Sequence, residues 1–472
     1  ISQSIMKSKF AALFLLFATV FVLASCLSTD DNYTYNDDSA ITSFSISSGK
    51  QYVHVKSSTG GDSLVVKDLT LSSYKFYIDQ VKCEIYNPDS LPCGVNAAKL
   101  LCSVSSLNSG VVVIKNVDSD TLKYVTTTDS LDFSQDRELQ VYSNSMAGIR
   151  KYKVHVNVHK EFADSFAWHA MPVCEALKAL KAVRTVALGN KMLLFGTDGT
   201  HTRLFVSEGN GWNESNTLFA ADTYRSVVAK EGVVYLSDGG NIMSTTDGGT
   251  WTTVATASGI TRLVAASPIR LYGYAADGRL MASADNGSTW TPSTIDDELS
   301  LLPTDETAYV SMPVKTNSLT NRVLLIGTRD KSQHPTDTTP CIWGKIDEGA
   351  DNSDNQPWLY YTVDQQNKHT APMLSGISAL YYDSRLLLVG CKDGEKPTTY
   401  KSLDNGITWY ADTTTIVLPD DFATGETANG SAAAYAVAAD QSNVLWLVNA
   451  KNGMTWRGRV NRLGWKDEQT SF

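Results

Sequence analysis

The sequence predicts an all-β chain, a β-sandwich followed by a β-propeller of six blades, with seven as the alternative count. Three observations carry that expectation. Short runs of alternating apolar and polar residues fill the first third of the chain. Six apolar strand patterns recur in the remainder. The octet "SADNGSTW", Ser283 to Trp290, returns as "SLDNGITW" from Ser402 to Trp409. No segment has the length and period of the crossover helix that a parallel α/β sheet requires.

The chain is 472 residues long, more than one ordinary core supports, so two or more domains are expected. A hydrophobic content of 42% is ample for packed cores. The net charge of −10 and the absence of a Lys/Arg run exclude the electrostatic footprint of a nucleic-acid binder.

Residues 1–25 have the layout of a signal peptide. Met6-Lys7-Ser8-Lys9 supplies a basic start, Phe10 to Val22 an apolar run, and Leu23-Ala24-Ser25-Cys26 a small-residue ending. The run is too short for a transmembrane helix. "LASC" resembles a bacterial lipobox, which implies cleavage before Cys26 and acylation of that residue, with outer-membrane lipid as partner. Residues 26–38 form a polar, acidic tether that lacks the apolar content to fold alone. An acidic tract behind the lipidated Cys resembles the export signal of Bacteroidetes-type surface lipoproteins. That resemblance implies the outer face of the outer membrane, with the periplasmic face as the alternative.

Residues 39–160 read as a β-sandwich, immunoglobulin-like in length and turn spacing. "SFSIS", "YKFYIDQ", "GVVVIKN" and "KYKVHVNVH" are its clearest strands. In the last, Val154, Val156 and Val158 face one way, and Lys153, His155, Asn157 and His159 face the other. His155 and His159 on one face could hold a metal, but a solvated strand face accounts for them. Six cysteines follow Cys26: Cys83, Cys93, Cys102, Cys174, Cys341 and Cys391. They allow fifteen complete pairings and none has zinc-ligand spacing, so no metal or cofactor is expected.

The propeller is expected over residues 161–472. Trp212, Trp251 and Trp290 are 39 and 39 residues apart, a period of propeller blades or solenoids, and further units end near Trp358, Trp409 and Trp465. Upstream of the turns lie "KMLLFG", "GVVYLSD", "IRLYGYA", "RVLLIGT", "RLLLVGC" and "NVLWLVN". In the two full turns, Asp285 and Asp404 are placed to accept backbone N–H bonds. Asn286-Gly287 and Asn405-Gly406 tolerate positive φ, and Trp290 and Trp409 lead the next strand. The structural set is Ser283, Asp285, Gly287 and Trp290, then Ser402, Asp404, Gly406 and Trp409. A weaker copy, "STTDGGTW", keeps Ser244, Gly248 and Trp251 but has Thr246 at the Asp position. "DSFAWHAM", Asp164 to Met171, is predicted to complete the last blade beside "RVNRLGW".

These turns resemble the Asp box, or bacterial neuraminidase repeat, of sialidase-like propellers. Lipobox, sandwich and degenerate Asp-box propeller together resemble a class of Bacteroidetes-type surface lipoproteins. In Asp-box families these residues hold peripheral turns and are not catalytic. A sialidase would also need a central arginine triad, an early Arg-Ile-Pro motif, an Asp acid/base and a Tyr nucleophile assisted by Glu. "SPIRLYG" has Arg270 and Tyr272 in the wrong order, and no position can be carried over as nucleophile or acid.

Arg184, Arg225 and Arg262 recur near the beginning of successive units, 41 and 37 residues apart, with Arg322 as a displaced fourth. On innermost strands they would converge on the channel and offer guanidinium donors to a carboxylate or phosphate; the alternative is that each pairs with a carboxylate of its own or a neighbouring blade. Trp343 and Tyr360-Tyr361, beside two long insertions, are a second route to recognition through sugar stacking. There is no nucleophile elbow and no phosphate-cradling glycine motif. The expected function is a noncatalytic, surface-anchored protein that binds a glycan or another extracellular partner. The alternative is a divergent glycoside hydrolase of sialidase-like fold.

Overall fold

The computed structural model describes residues 34–56, 62–349, 356–363, 366–392, 397–423 and 434–466. The expected signal peptide, Cys26 and tether residues 26–33 lie outside them. No helix among the described residues is long and apolar enough to cross a membrane. Two compact units divide the chain between Lys160 and Glu161.

In the first unit, strands Asp62–Thr70, Ile41–Lys56, Leu100–Ser106 and Ser130–Leu131 form one sheet in that order. Tyr77–Asp79, Glu84–Tyr86, Ile149–His155, Arg137–Tyr142, Val111–Lys115 and Leu122–Tyr124 form a second. Ile41, Phe44 and Leu100 of the first sheet share one buried core with Leu139, Val141 and Val154 of the second. The pairing is not wholly antiparallel, because Lys153–His155 runs parallel to Glu84–Tyr86. Strands far apart in the chain are free of the hairpin constraint that enforces antiparallel neighbours.

The alternation around Val154 holds, with Tyr152 and Val154 buried between exposed lysines, but the shared histidine face does not. The regular strand stops at His155. Asn157 then binds Asn87 through both its backbone N–H and its side-chain amide, and His159 is buried. His155 pairs with Asp136 at 2.5 Å, and no metal-binding cluster occurs among the described residues. Thr34 to Asp38 has no regular structure but is pinned to the turn at Asn144 and Ser145, as by Ser145 Oγ to Asp37 Oδ1 at 2.6 Å.

The second unit contains six four-stranded sheets among the described residues. Their inner strands are Ala182–Leu188, Val227–Lys230, Ile260–Ala266, Thr307–Val314, Ser375–Tyr382 and Tyr435–Ala439, in blades 1 to 6. Each touches the next, and the sixth returns to the first, which closes the ring. The second strands, such as Lys191–Thr197, are near-continuous apolar runs because both faces are covered by neighbouring blades. Blade 6 is completed by Phe166–Ala170, which pairs with Met454–Val460 in the register Trp168 to Gly458. The ring is thus tied by backbone hydrogen bonds between the first and last strands of the unit, and packing of the sixth blade on the first covers the two blade faces that an open array would expose.

A tryptophan joins each blade to the one before it. Trp251 packs on Phe195 and Phe219 of blade 1 at 6.1 and 5.2 Å, and Trp358 on Tyr272 of blade 3 at 5.0 Å. Trp212 stands 5.9 Å from Trp446 of blade 6. Trp290 packs with Val228 and Ile242, and Trp409 with Leu324 and Ile326. In the sixth position the residue is Trp168, not Trp465, because the closing strand comes from the start of the unit. Its Nε1 donates to Val417 O at 2.8 Å, and its ring joins the core with Tyr382 and Leu387.

The two repeated turns are built alike. Gly287 N donates to Ser283 Oγ at 2.8 Å, Thr289 N to Asp285 Oδ1 at 2.9 Å and Trp290 Nε1 to Gly287 O at 3.1 Å. Gly406, Ser402, Thr408, Asp404 and Trp409 repeat these bonds at 2.9 Å. Asn286 and Asn405 both have φ of 62°, and Gly287 and Gly406 both have φ of 95°. The third copy corrects the sequence alignment. Thr245, not Ser244, accepts from Gly248 N at 2.9 Å, and Asp247 accepts from Gly249 and Thr250 at 2.8 and 2.7 Å. The turn is one residue shorter, which moves its first position from Ser244 to Thr245. The backbone N–H bonds hold the Asp247 carboxyl down at about 2.

Candidate functional site

Arg184 and Arg262 lie on the inner strands of blades 1 and 3, and Arg225 ends the 3₁₀ turn Thr223–Ser226 that enters blade 2. All three reach toward Thr304 to Thr307, the segment leading into blade 4. Arg184 Nη2 donates to Thr307 O, and its Nη1 reaches Arg225 O at 3.4 Å and Val227 O at 3.5 Å. Arg225 Nη2 donates to Asp305 O and lies 3.2 Å from Asp305 Oδ1. Arg262 Nη1 reaches Thr304 O and Asp305 O, both at 3.2 Å, and its Nη2 reaches Thr307 Oγ1 at 3.2 Å.

The expected convergence is therefore present, with a different set of partners from either version of the expectation. Among the described residues, Arg225 alone of the three pairs with a carboxylate, and Arg184 and Arg262 are held chiefly by carbonyl oxygens. Arg225 and Arg262 share Asp305 O, which places their charges within a Debye length, about 8 Å at physiological salt. Burial and the two neighbouring cations push the Arg262 guanidinium down to about 10, still charged at neutral pH. Burial lowers Arg184 as well. Arg262 Nε is buried without a partner. Arg322 stays apart, on the second strand of blade 4.

Beside the cluster is a cavity of about 490 Å³, walled by the inner strands of blades 1, 4, 5 and 6 and the entry to blade 2. Arg184, Thr185, Arg225, Glu306, Lys331 and Tyr435 are among its lining residues, and Arg262 stands behind them. Thr185 is 8% exposed, and its Oγ1 has no hydrogen-bond partner. Glu306 Oε2 accepts from Ile377 N at 3.0 Å. The pairing register shifts between Ser375 and Ser378, and Gly376 has φ of 66°. This bulge turns its amides onto the Glu306 carboxyl, the kind of re-aiming that an added residue in a strand allows. Burial nevertheless raises Glu306 above the usual carboxylate range, and the amides offset only part of that.

Sequence reasoning missed Thr185, Asp305, Glu306 and Gly376. None carries a repeat signature. The glycine inside "LSGISALYY" was a bulge signal that could have been read. The aromatic route is not realised at Trp343, which is fully buried with Nε1 donating to Leu301 O at 3.0 Å. Tyr360 packs against that ring at 5.2 Å, and Tyr361 packs on the core between blades 4 and 5. Arg270 and Tyr272 are structural: Arg270 forms a buried ion pair with Asp347, and Tyr272 is fully buried. The six described cysteines form no disulfide with one another, and Cys102, Cys341 and Cys391 are buried.

Among solved structures, the chain is similar to a structural genomics protein of unknown function from Bacteroides thetaiotaomicron VPI-5482. That match has 12% identity and a TM-score of 0.42, over 90% of this chain and 99% of the other. An auxiliary nutrient binding protein from the same organism matches at 9% identity and TM-score 0.41, over 76% and 93%. YCF48 from Cyanidioschyzon merolae matches at 16% identity and TM-score 0.32, over 62% and 98%. No curated protein matches the chain. Residues 44–156 match the DUF6242 N-terminal domain, a domain of unknown function. Residues 162–468, well over half of the chain, match the DUF6242 beta propeller domain, and the chain belongs to that family.

Proposed function

We propose that this protein is a noncatalytic, surface-anchored binding protein whose ligand, a glycan or another extracellular partner, docks at the inner ring of the propeller. The observation that carries this reading is the convergence of Arg184, Arg225 and Arg262 beside a cavity of about 490 Å³. The volume lies within the range of small-molecule sites, and a few polar groups converge on it. Arg184 and Arg225 line the cavity with Asp305 and Glu306, the latter biased toward its neutral form by burial, and Arg262 stands behind them. The excess positive charge favours an anionic ligand.

The bonding of the repeated turns supports kinship with the Asp-box propellers. The shared core of the two N-terminal sheets supports an immunoglobulin-like module in which one strand pair is parallel. Anchoring through an acylated Cys26 to the outer membrane, facing outward, rests on "LASC" and the acidic residues behind it. Cys26→Ala is expected to abolish lipid labelling and membrane partitioning; unchanged partitioning overturns the anchor.

A hydrolytic reading draws on one observation, the half-buried Glu306 with its raised pKa, the state a general acid needs. One experiment tests both readings: a glycan array on the chain, run beside a broad glycosidase panel. Saturable binding without turnover is the expected result. Turnover that disappears in Glu306→Gln overturns the noncatalytic reading, and no binding to any glycan removes the glycan from it.

A further inference from the structure

Resting on the proposed anchor at Cys26, we infer that the end of the first unit where the tether enters seats on the lipid surface, with Tyr35, Val81, Leu107, Met146 and Ile149 dipping into the headgroup layer. Strand pairing brings residues 34–40, 80–83, 107–110 and 143–149 to that end. Ile41 begins its strand opposite Ser106, which places the 3₁₀ turn Leu107–Ser109 there, and Leu107 N donates to Ala40 O at 2.8 Å. Tyr142 and Ile149 close the hairpin over residues 143–148, and Tyr142 also pairs with Val111, just after that turn. Gln80 reaches the same end: its Nε2 donates to Ile41 O at 2.7 Å, and its carbonyl oxygen accepts from Arg150 Nη2 at 2.6 Å. The incoming chain is clamped across the hairpin tip. Asn36 N donates to Asn144 Oδ1 at 2.7 Å and Asn144 Nδ2 to Thr34 O at 3.1 Å. Asp37 O occupies the place a Cβ at Gly148 would take, so only glycine lets the chain pass there. The strand Ile149–His155 then carries the chain away toward the opposite end.

Each of these segments presents a large apolar side chain to solvent: Tyr35 is 71% exposed, Val81 93%, Met146 60%, Ile149 53% and Leu107 37%. Met146 has φ of 65°, left-handed backbone that favours glycine and costs any longer residue some stability. Its side chain takes no part in the unit's core. The turn beneath it is fixed by Met146 N on Ser143 O and Gly148 N on Ser143 Oγ, both at 2.9 Å, which holds the side chain out at the tip. What covers this end follows from the length of chain before it. Eight peptide links, about 28 Å fully extended at about 3.5 Å each, separate Cys26 from Thr34. A lipidated Cys26 thus keeps this end within that distance of the bilayer, while the far end, about 50 Å along the 16-residue strand Ile41–Lys56, is free to stand off. Apolar side chains gain free energy by entering the acyl boundary about 5–10 Å deep, with tyrosine at headgroup level. Lys82 and Arg150 stand beside Val81 and Ile149 against Asp37, Asp38 and Asp79, so the charges nearly balance and the contact is chiefly apolar.

The test is amide hydrogen exchange on the acylated protein reconstituted into vesicles of phosphatidylethanolamine and phosphatidylglycerol. The reference is the chain from residue 26 onward carrying Cys26→Ala, in the same buffer without lipid. Residues 34–40, 80–83, 107–110 and 143–149 are expected to exchange at least about threefold more slowly on the vesicles, while Ser63 to Lys67 at the far end keep their rates. Raising salt to about 0.5 M should leave that protection in place, since nearly balanced charges give little to screen. Met146→Gly removes the side chain where the backbone favours glycine, so its melting temperature should equal or exceed the parent's. Combined with Ile149→Ser, it should abolish the protection while the protein stays on the vesicles. Unchanged exchange at all four segments in acylated, vesicle-bound protein, or protection that survives in the folded double variant, overturns the inference and leaves the anchor standing. Protection that appears without lipid and grows with protein concentration assigns the surface to a second copy and overturns the inference as well. A protein that takes up no lipid label overturns the anchor and the inference together.

Discussion

Arg184 and Arg225 are joined through the backbone: Nη1 of Arg184 lies 3.4 Å from the carbonyl oxygen of Arg225, while Nη2 of the same guanidinium holds Thr307 O on the far side. One side chain from blade 1 thus fastens blades 2 and 4. That relationship separates the arginine that builds the site from the arginine that faces it, and the separation can be measured.

Arg184→Ala leaves three carbonyl oxygens without their donor. The cost is expected at about 3 kcal/mol, with relief of repulsion on Arg262 offsetting part of it. For a unit of this size the melting temperature should fall roughly 3 to 5 °C. Arg225→Gln should change it by no more than about 2 °C. A thermal melt of the two variants decides the order; an equal loss in both would contradict the division of roles.

Glu306 gives a pH dependence of defined sign. Its folded pKa lies above the unfolded value because burial disfavours the charge. Its contribution to stability is therefore present below the ordinary carboxylate pKa and lost as pH rises through the raised one. Relative to the parent, Glu306→Gln should gain melting temperature from about pH 4 upward and level off once Glu306 is ionised. Melts of both proteins across pH 4 to 8 check this; a pH-independent difference would place the Glu306 titration in the ordinary range.

The shortened third turn makes two adjacent hydroxyl residues unequal. Thr245→Val removes the acceptor of Gly248 N in a buried position and should cost about 1–2 kcal/mol. Ser244→Ala should stay within about 0.5 kcal/mol of the parent. Denaturant titration separates them, and the reverse order would restore the sequence alignment that begins the turn at Ser244.

Closure of the ring rests on Phe166–Ala170. Trp168→Ala removes the Val417 bond and the ring's packing beside Tyr382, and should destabilise by about 2–4 kcal/mol. A chain lacking residues 162–171 should expose an edge of blade 6 and scatter light at concentrations where the parent stays clear. A clear solution of that deletion with an unchanged melt would mean that the last blade closes without this strand.

Local chemistry made much of this protein legible in its residues alone. Periods near 39 residues, Asn-Gly turns with a leading Trp, and apolar strand runs specify blades because each depends on residues close together in the chain. Even closure could be read, since "DSFAWHAM" carries the Trp phase of a blade with no strands of its own beside it. The recurrence of Arg184, Arg225 and Arg262 likewise marked the inner ring. Tertiary structure decided what the residues at that ring do. Whether a guanidinium meets a carbonyl, a carboxylate or open cavity depends on the blade opposite, and Thr304 to Thr307 lies far from all three arginines in the chain. It also chose Thr245 over Ser244, since a turn that is one residue shorter changes which hydroxyl meets the glycine amide. Trp343 entered the core for the same reason: a strand pattern gives alternation, but only packing shows which side is covered. Thr185 and Glu306 carry no repeat, so only the closing of the ring, which walls the cavity from four blades, gives them a site to line.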